Sequence, residues 1–138
     1  MNILIIGSEG FIGSNAVRYF SQAGYKVHCA DIHIKQSENY TIINPELSDF
    51  SKLFRQQTFD ICLNASGAAN VQISFSHPLV DYTLNTTNVY TILEAIHLYN
   101  PTCKFINISS ERDCLKMLVS AMKIVEVITR PAITGLMP

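Results

Sequence analysis

Charge is scarce in this sequence. Asp, Glu, Lys and Arg make up 15% of the 138 residues, and the net charge is −1. Without a polybasic surface, nothing favours a nucleic-acid partner or an anionic membrane. No apolar run reaches the roughly 18 residues that a membrane span needs. The N-terminus lacks a basic n-region, so no signal peptide is expected and a cytoplasmic location is. Cys29, Cys62, Cys103 and Cys114 form no CxxC pair. The first three fall in or beside strand-like segments and read as reduced core thiols. His28, His33, His77 and His97 show no metal-ligand spacing, so no metal is expected. Repeats, low-complexity segments and linkers are missing too. What is plentiful is apolar: hydrophobic residues make up 48%, enough at this length for one globular domain with a real core.

The chain begins MNILIIGSEGFIG. Residues 3–6 read as a short apolar strand, followed by a glycine turn and a helix start, with Gly7, Gly10 and Gly13 at GxxGxxG spacing. Strand, turn and helix with glycines at those steps bring backbone N–H groups up to a pyrophosphate. Gly7 allows the tight turn, Gly10 removes a side chain where phosphate approaches, and Gly13 lets the helix lie close on the strand. A purely structural turn is the alternative. The amphipathic helix that follows and an acidic residue downstream favour dinucleotide binding. That residue is Asp31, 18 positions past Gly13, at the end of a second strand over 27–30. A carboxylate there accepts hydrogen bonds from the adenosine ribose and repels a 2′-phosphate, which favours NAD over NADP. A solvated aspartate at a strand end is the alternative; His33 and Lys35 are the basic residues close by.

Ile12, Ala16, Tyr19, Phe20 and Ala23 recur at helical spacing and predict one buried stripe, with Gly24 as a candidate C-cap. A weak third strand is expected at 40–43, then a short helix at 50–56 capped by Ser48 or Asp49. The fourth strand, 59–63, leads into Asn64, Ala65, Ser66, Gly67, Ala68 and Ala69. Small residues at the carboxyl edge of a doubly wound sheet let a backbone pass close to a ligand; an ordinary flexible loop is the alternative. A long helix then runs from Pro78 to about Tyr99. Val80, Leu84, Ile92, Leu93 and Ile96 make its buried face, with Asn85 and Asn88 on or beside it, where amides need partners. Asn100-Pro101 stops it. The fifth strand covers 103–108 and ends in Ser109-Ser110. A helix at 115–122 and a sixth strand at 124–129, ended by Pro131, complete the pattern. Apolar strands alternating with helices predict an α/β fold, a doubly wound parallel sheet of order 3-2-1-4-5-6 with right-handed crossovers.

In this order the residues resemble the extended short-chain dehydrogenases/reductases, in the NAD-dependent epimerase/dehydratase branch that acts on nucleotide sugars. The likeness covers nearly all of the chain. It rests on GSEGFIG at 7–13, Asp31, FDICLNASGAA at 59–69, Asn85 with TTNVYTILEAI, KFINISS at 104–110 and RPAITGLMP at 130–138. The resemblance implies a Rossmann-type domain over 1–138, NAD as cofactor, a nucleotide-sugar substrate and a homodimer. It implies that Gly7, Gly10 and the backbone of Phe11 and Ile12 hold the pyrophosphate, with Gly13 in the same motif. Asp31 would hold the adenosine ribose, and Glu46 and Leu47 would sit beside the adenine. Asn64, Ala65, Ser66 and Gly67 would line the phosphates and nicotinamide ribose. Asn85 would brace its helix against the active-site strands, and Ser110 would be the catalytic hydroxyl. Asn88 stands where the family usually has glycine.

The family's Tyr-x-x-x-Lys pair is missing. In that pair, the lysine and the oxidised nicotinamide lower the tyrosine's pKa, so that its phenolate takes a proton from a sugar hydroxyl as hydride leaves the carbon. Four residues after Tyr19, Tyr25, Tyr40, Tyr82, Tyr90 and Tyr99 come Ala23, Cys29, Asn44, Thr86, Glu94 and Cys103. Arg112 stands in the tyrosine's place relative to Lys116, and a guanidinium cannot be that base. The stretch 109–123 between the fifth and sixth strands is long enough for a crossover but leaves no room for a substrate loop. No counterpart of the family's small C-terminal substrate domain is expected within these 138 residues. Three readings fit. The favoured one has residues missing, relative to the family, near 110–113 and after 138, the intact protein being a nucleotide-sugar epimerase, dehydratase or reductase. In the second, the chain is a catalytically degenerate NAD-binding module with a sensing or scaffold role. The third recruits Ser110 with Lys116 for a different chemistry.

Overall fold

A computed structural model describes residues 1–47, 49–68 and 71–108, and of Val71 and Ile73 the backbone only. At its centre is strand β1 (Asn2–Ile6). Ile3, Leu4, Ile5 and Ile6 carry no polar side-chain atoms, so this run is stable only when both of its faces are covered; all four are 0% exposed. Burying each such side chain is worth about 1.5–3 kcal/mol, far more than strand propensity over so short a run. The core therefore fixes where β1 lies. It pairs in parallel with β2 (Lys26–Asp31) on one side, from Ile3↔Val27 to Ile6↔Ala30. On the other side lies β4 (Ile61–Asn64), also parallel, from Ile3↔Ile61 to Ile6↔Asn64. Beyond β2 comes β3 (Tyr40–Ile42), and beyond β4 comes β5 (Lys104–Asn107), both again parallel. The resulting order, β3-β2-β1-β4-β5, matches the expected order over the first five strands. The sixth strand expected at 124–129 and the helix at 115–122 lie outside the described residues.

Among the described residues, five α-helices connect the strands: α1 (Phe11–Gln22), α2 (Ser51–Gln56), α3 (Val71–Ser76), α4 (Pro78–Tyr82) and α5 (Asn88–Tyr99). The period-2 alternation of β1 divides the core between the two faces of the sheet. Ile3 and Ile5, with Leu63, pack on Ala16, Val17 and Phe20 of α1. Leu4 and Ile6, with Ala30 and Cys62, pack on Leu53 and Phe54 of α2 and on Ile92, Ala95 and Ile96 of α5. Cys62 and Cys103 are buried free thiols. Burial pushes the Cys103 thiol up to about 11 and Cys62 well above its ordinary value, which removes both from thiolate chemistry at neutral pH. Cys114 lies outside the described residues.

Helix α1 is rotated away from the expected stripe. Tyr19 is 67% exposed and Ile12 48%, and Ala23 is exposed as well. The cause is Gly13. A Cβ there would come within 2.0 Å of Gly7 O, so this one bare position must face the turn, and the rotation of the helix follows from it. After the helix, Gly24 N–H donates to Ser21 O and Tyr25 N–H to Phe20 O, with the Phe20 and Tyr25 rings edge to face at 5.9 Å. This is a Schellman ending, as the glycine suggested. Helix α2 has no side-chain cap: Asp49 accepts a bond from Ser51 Oγ at 2.8 Å instead, and Ser48 lies outside the described residues.

The long helix expected over 78–99 is interrupted. Between α4 and α5 the backbone makes a wide π turn over Thr83–Thr87, in which Asn88 N–H reaches back five residues to Thr83 O. That turn breaks the 3.6-residue repeat. Val80, 41% exposed, and the half-buried Leu84 therefore do not share the buried stripe of Ile92, Leu93 and Ile96. Asn100 ends α5, and its side-chain amide donates to Phe59 O at 2.6 Å. Helix α3 has no counterpart in the sequence reading. Among the described residues, no helix is long and apolar enough to cross a membrane, and no group of three His, Cys, Asp or Glu side chains could hold a metal ion.

Candidate functional site

Parallel pairing brings the carboxyl ends of β1, β2, β3 and β4 to one edge, and a cleft of about 250 Å³ opens there. Gly7 and Gly10 line it from the turn after β1. Asp31, Ile32 and His33 line it at the end of β2 and just beyond, Ile43 and Pro45 after β3, and Ala65, Ser66 and Gly67 after β4. Leu84 and Asn88 reach it from the helical stretch.

The turn is fastened by its own backbone. Gly7 N–H and Ser8 N–H both donate to Ala30 O, at 2.8 and 3.3 Å. Gly7 has φ +79°, and a Cβ on it would lie 2.7 Å from the backbone of Ala65 and Ser66. Conformation and space therefore both demand glycine there. Gly10 differs: a Cβ would meet only Gly7 O, at 3.3 Å, so packing is a weaker reason for its bareness. As the N-cap residue of α1 it supplies no side-chain cap. The first N–H groups of a helix have no intrahelical acceptor and carry the positive end of its dipole. Phe11 and Ile12 occupy those first positions with their side chains exposed. Backbone N–H groups, a bare glycine and a helix start together make an anion-binding end.

Asp31 supplies the opposite charge. It is buried, and burial alone would raise its pKa. Hydrogen bonds from Glu9 N–H, the His33 ring, His33 N–H and Ile32 N–H outweigh burial and hold the carboxyl below its ordinary value, so it is ionised at neutral pH. Glu9 N–H reaches Oδ2 at 2.9 Å; Ile32 N–H reaches Oδ1 at 2.8 Å and His33 Nδ1 the same atom at 2.7 Å. Oδ2, with a single bond, keeps capacity for another donor such as a ribose hydroxyl. The tie from Glu9 also locks the glycine turn to the end of β2, and Lys35 pairs with Glu9 at 3.0 Å alongside it.

Across the cleft, the loop after β4 is shaped by amides. Asn64 is buried and donates from Nδ2 to Asn107 Oδ1 at 2.8 Å. Its Oδ1 accepts Ser66 N–H at 3.2 Å and Ser66 Oγ at 2.6 Å. Asn85 accepts Ala68 N–H at 2.9 Å and donates to Ala68 O at 3.2 Å. Asn64 and Asn85 thus hold the loop from behind and are not among the residues lining the cleft. Asn85, expected to brace its helix against strands, here braces the loop.

Of the cofactor residues expected from sequence, Gly7, Gly10, Asp31, Ala65, Ser66 and Gly67 come together at the cleft. Gly13 is buried against the turn, and Phe11 and Ile12 stand at the helix start. Glu46 and Leu47 are exposed in a single 3-10 turn (Pro45–Leu47) and do not line the cleft; Ile43 and Pro45 do, because the chain turns away after Pro45. Leu84 and Asn88 went unassigned as ligand contacts, and the wide turn that presents them has no compositional signal. Among the described lining residues, Asp31 and His33 are the ones with ionisable side chains. Ser110, Ala69, Arg112, Lys116 and 130–138 lie outside the described residues. The chain's own atoms fit a dinucleotide: a bare N–H cradle for phosphate, an ionised carboxylate for ribose hydroxyls, and a space the size of a nucleoside.

A family model described as the NAD dependent epimerase/dehydratase family matches residues 3–115. A CDP-paratose 2-epimerase of Salmonella typhi is 24% identical over 126 residues, covering 81% of this chain and 37% of its own. A dTDP-glucose 4,6-dehydratase of Escherichia coli is 27% identical over 116 residues, covering 72% of this chain and 32% of its own. Among solved structures, the UDP-glucose 4-epimerase of Thermotoga maritima with UDP-glucose superposes with a TM-score of 0.70. It is 27% identical and covers 80% of this chain and 38% of that one. The chain therefore spans well under half the length of the proteins it resembles.

Proposed function

The chain belongs to the NAD dependent epimerase/dehydratase family, and from that premise we propose that residues 1–108 hold NAD for an oxidoreductase acting on a nucleotide sugar. The observation that carries this is the joining of two features in one cleft: the bare N–H turn at Gly7 and Gly10, and the ionised carboxylate of Asp31 tied to it through Glu9 N–H. The first suits a pyrophosphate and the second an unphosphorylated ribose, which is the pairing NAD requires and NADP does not. When bound, NAD supplies the acceptor for a hydride from a sugar carbon. The residues of this chain bind and orient it. Gly7, Gly10 and the backbone of Phe11 and Ile12 hold the phosphates, Asp31 accepts the ribose hydroxyls, and Ala65, Ser66 and Gly67 let the dinucleotide lie close to backbone. Ser110 is the hydroxyl proposed to hydrogen-bond the reacting oxygen. A homodimer and a nucleotide-sugar substrate belong to the same reading. The missing Tyr-x-x-x-Lys spacing favours a second reading, an NAD-binding module that senses or scaffolds without turnover.

Calorimetric titration with NAD tests the cofactor assignment. Asp31→Ala is expected to weaken NAD by at least about tenfold, the worth of its charge-assisted hydrogen bonds. Lys26→Ala, on the exposed start of β2, should leave the affinity unchanged. Failure of the unaltered protein to bind NAD, or equal losses in both variants, would overturn the assignment. Supplying UDP-, dTDP- and CDP-sugars to the NAD-loaded full-length protein separates the two readings. A product or an NADH-like absorbance supports the enzyme; neither supports the module.

A further inference from the structure

Asp81 on α4 belongs to no expected site, yet it closes a network behind the cleft. Its Oδ1 accepts two bonds, from Ser74 Oγ of α3 at 2.8 Å and from Asn85 Nδ2 at 2.9 Å. We propose that Asp81 is a positioning residue for dinucleotide binding: it fixes the orientation of the Asn85 amide, and Asn85 in turn fixes the backbone of Gly67 and Ala68 that faces the far half of the dinucleotide. The proposal rests on the NAD reading above.

The argument starts from what each group can do. A carboxylate oxygen accepts and cannot donate, so Asp81 demands the NH₂ end of the Asn85 amide. With that end committed, Oδ1 must turn the other way, toward Ala68 N–H. An amide flipped by 180° would set its NH₂ against that N–H and lose both Ala68 bonds. The backbone of Ala68 is read on both sides, N–H and C=O, as a neighbouring strand would read it. Sterics point the same way. A Cβ on Gly67 would lie 2.7 Å from Asn85 Oδ1, so the amide oxygen fills the space beside this glycine and the loop cannot collapse toward the helix. At its other end the loop is already fixed, since Ala65 N–H donates to Ile6 O at 2.8 Å. Asp81 governs the end that β1 does not reach.

The wide turn makes the network possible. Asp81 lies in α4 and Asn85 within Thr83–Thr87, so both precede the stretch whose side chains pack on the sheet. Ser74 ties α3 to the same oxygen. One carboxylate atom therefore joins α3, α4 and the π turn.

The test compares NAD with AMP, which lacks the far phosphate and the nicotinamide ribose, by calorimetry on the full chain. Asp81→Ala should weaken NAD about five- to tenfold, the worth of one hydrogen bond, and leave AMP unchanged. Asp81→Asn, which keeps an accepting oxygen, should restore most of the loss. Asp81→Ala combined with Asn85→Ala should lose no more NAD affinity than Asn85→Ala alone, because the two act in series. Without ligand, hydrogen exchange of the Ala68 amide should be faster in Asp81→Ala; Asp81→Ser serves if that variant does not fold. Equal weakening of NAD and AMP, or Ala68 exchange at the unaltered rate, would overturn the proposal. Failure of the unaltered protein to bind NAD would overturn the cofactor reading, and the exchange comparison would still decide the clamp.

Discussion

The turn after β1 is shaped by side chains that are missing, and the loop after β4 by side chains that are present. At the turn, Gly7 and Gly13 allow backbone to meet backbone at distances that no Cβ permits. At the loop, Asn64, Asn85 and Asp81 hold backbone in place through polar bonds. The two means of construction differ in how they fail. A steric contact with backbone offers nothing flexible to yield, whereas a hydrogen bond can lengthen, swap for water or be replaced.

Gly13→Ala should therefore show the largest effect. A methyl 2.0 Å from Gly7 O forces α1 away from the turn, at a cost of about 3 kcal/mol or more in urea unfolding. A cost below about 1 kcal/mol would mean that the turn yields as the loop does, and the contrast would be lost. Asn64→Ala comes next. It removes the acceptor of the half-buried Ser66 N–H and the donor to the exposed Asn107 side chain, and should cost about 1–2 kcal/mol, with the circular dichroism spectrum unchanged. The smallest effect depends on pH. Asp31 has a folded pKa below its ordinary 3.8, so the unfolded chain binds the proton first. Its stabilisation is fully present above that ordinary value and is lost as pH falls through the lowered one. The gap in unfolding free energy between the unaltered protein and Asp31→Asn should accordingly shrink below about pH 4. The gap for Asn64→Ala should not respond over the same range, because amides do not titrate. A pH-dependent Asn64 gap would blur the distinction.

The same difference decides what could be read from sequence. Gly7, Gly10, Gly13 and Asp31 act within one strand-turn-helix-strand unit, where spacing carries the geometry, and all four were legible. The central strands β1 and β4 are legible because each is a mostly apolar run, whereas β3, Tyr-Thr-Ile, gives only a weak signal. The partners of the amides are not legible. Asn64 meets Asn107 across 43 residues and Asn85 meets Ala68 across 17. Such pairings exist only after the sheet has set strand order and register, and nothing local announces them. The rotation of α1 departs from the apolar stripe that includes Tyr19, because its closest contact with the turn is made by Gly13, which has no side chain. After β3, the expected Glu46 and Leu47 lie just past the Ile43 and Pro45 that line the cleft, within one short turn.

The π turn at Thr83–Thr87 has a geometric consequence. A helix advances about 100° per residue, so one extra residue taken into a turn rotates everything before it against everything after it by that angle. Downstream, Ile92 and Ile96 keep their seat on the sheet. Within the turn, Asn85 is brought round to the loop after β4, and Asp81, upstream, meets Asn85 there. The turn is an angular offset written into the backbone. It lets one rod of helix address two surfaces that an unbroken 3.6-residue repeat would place out of phase.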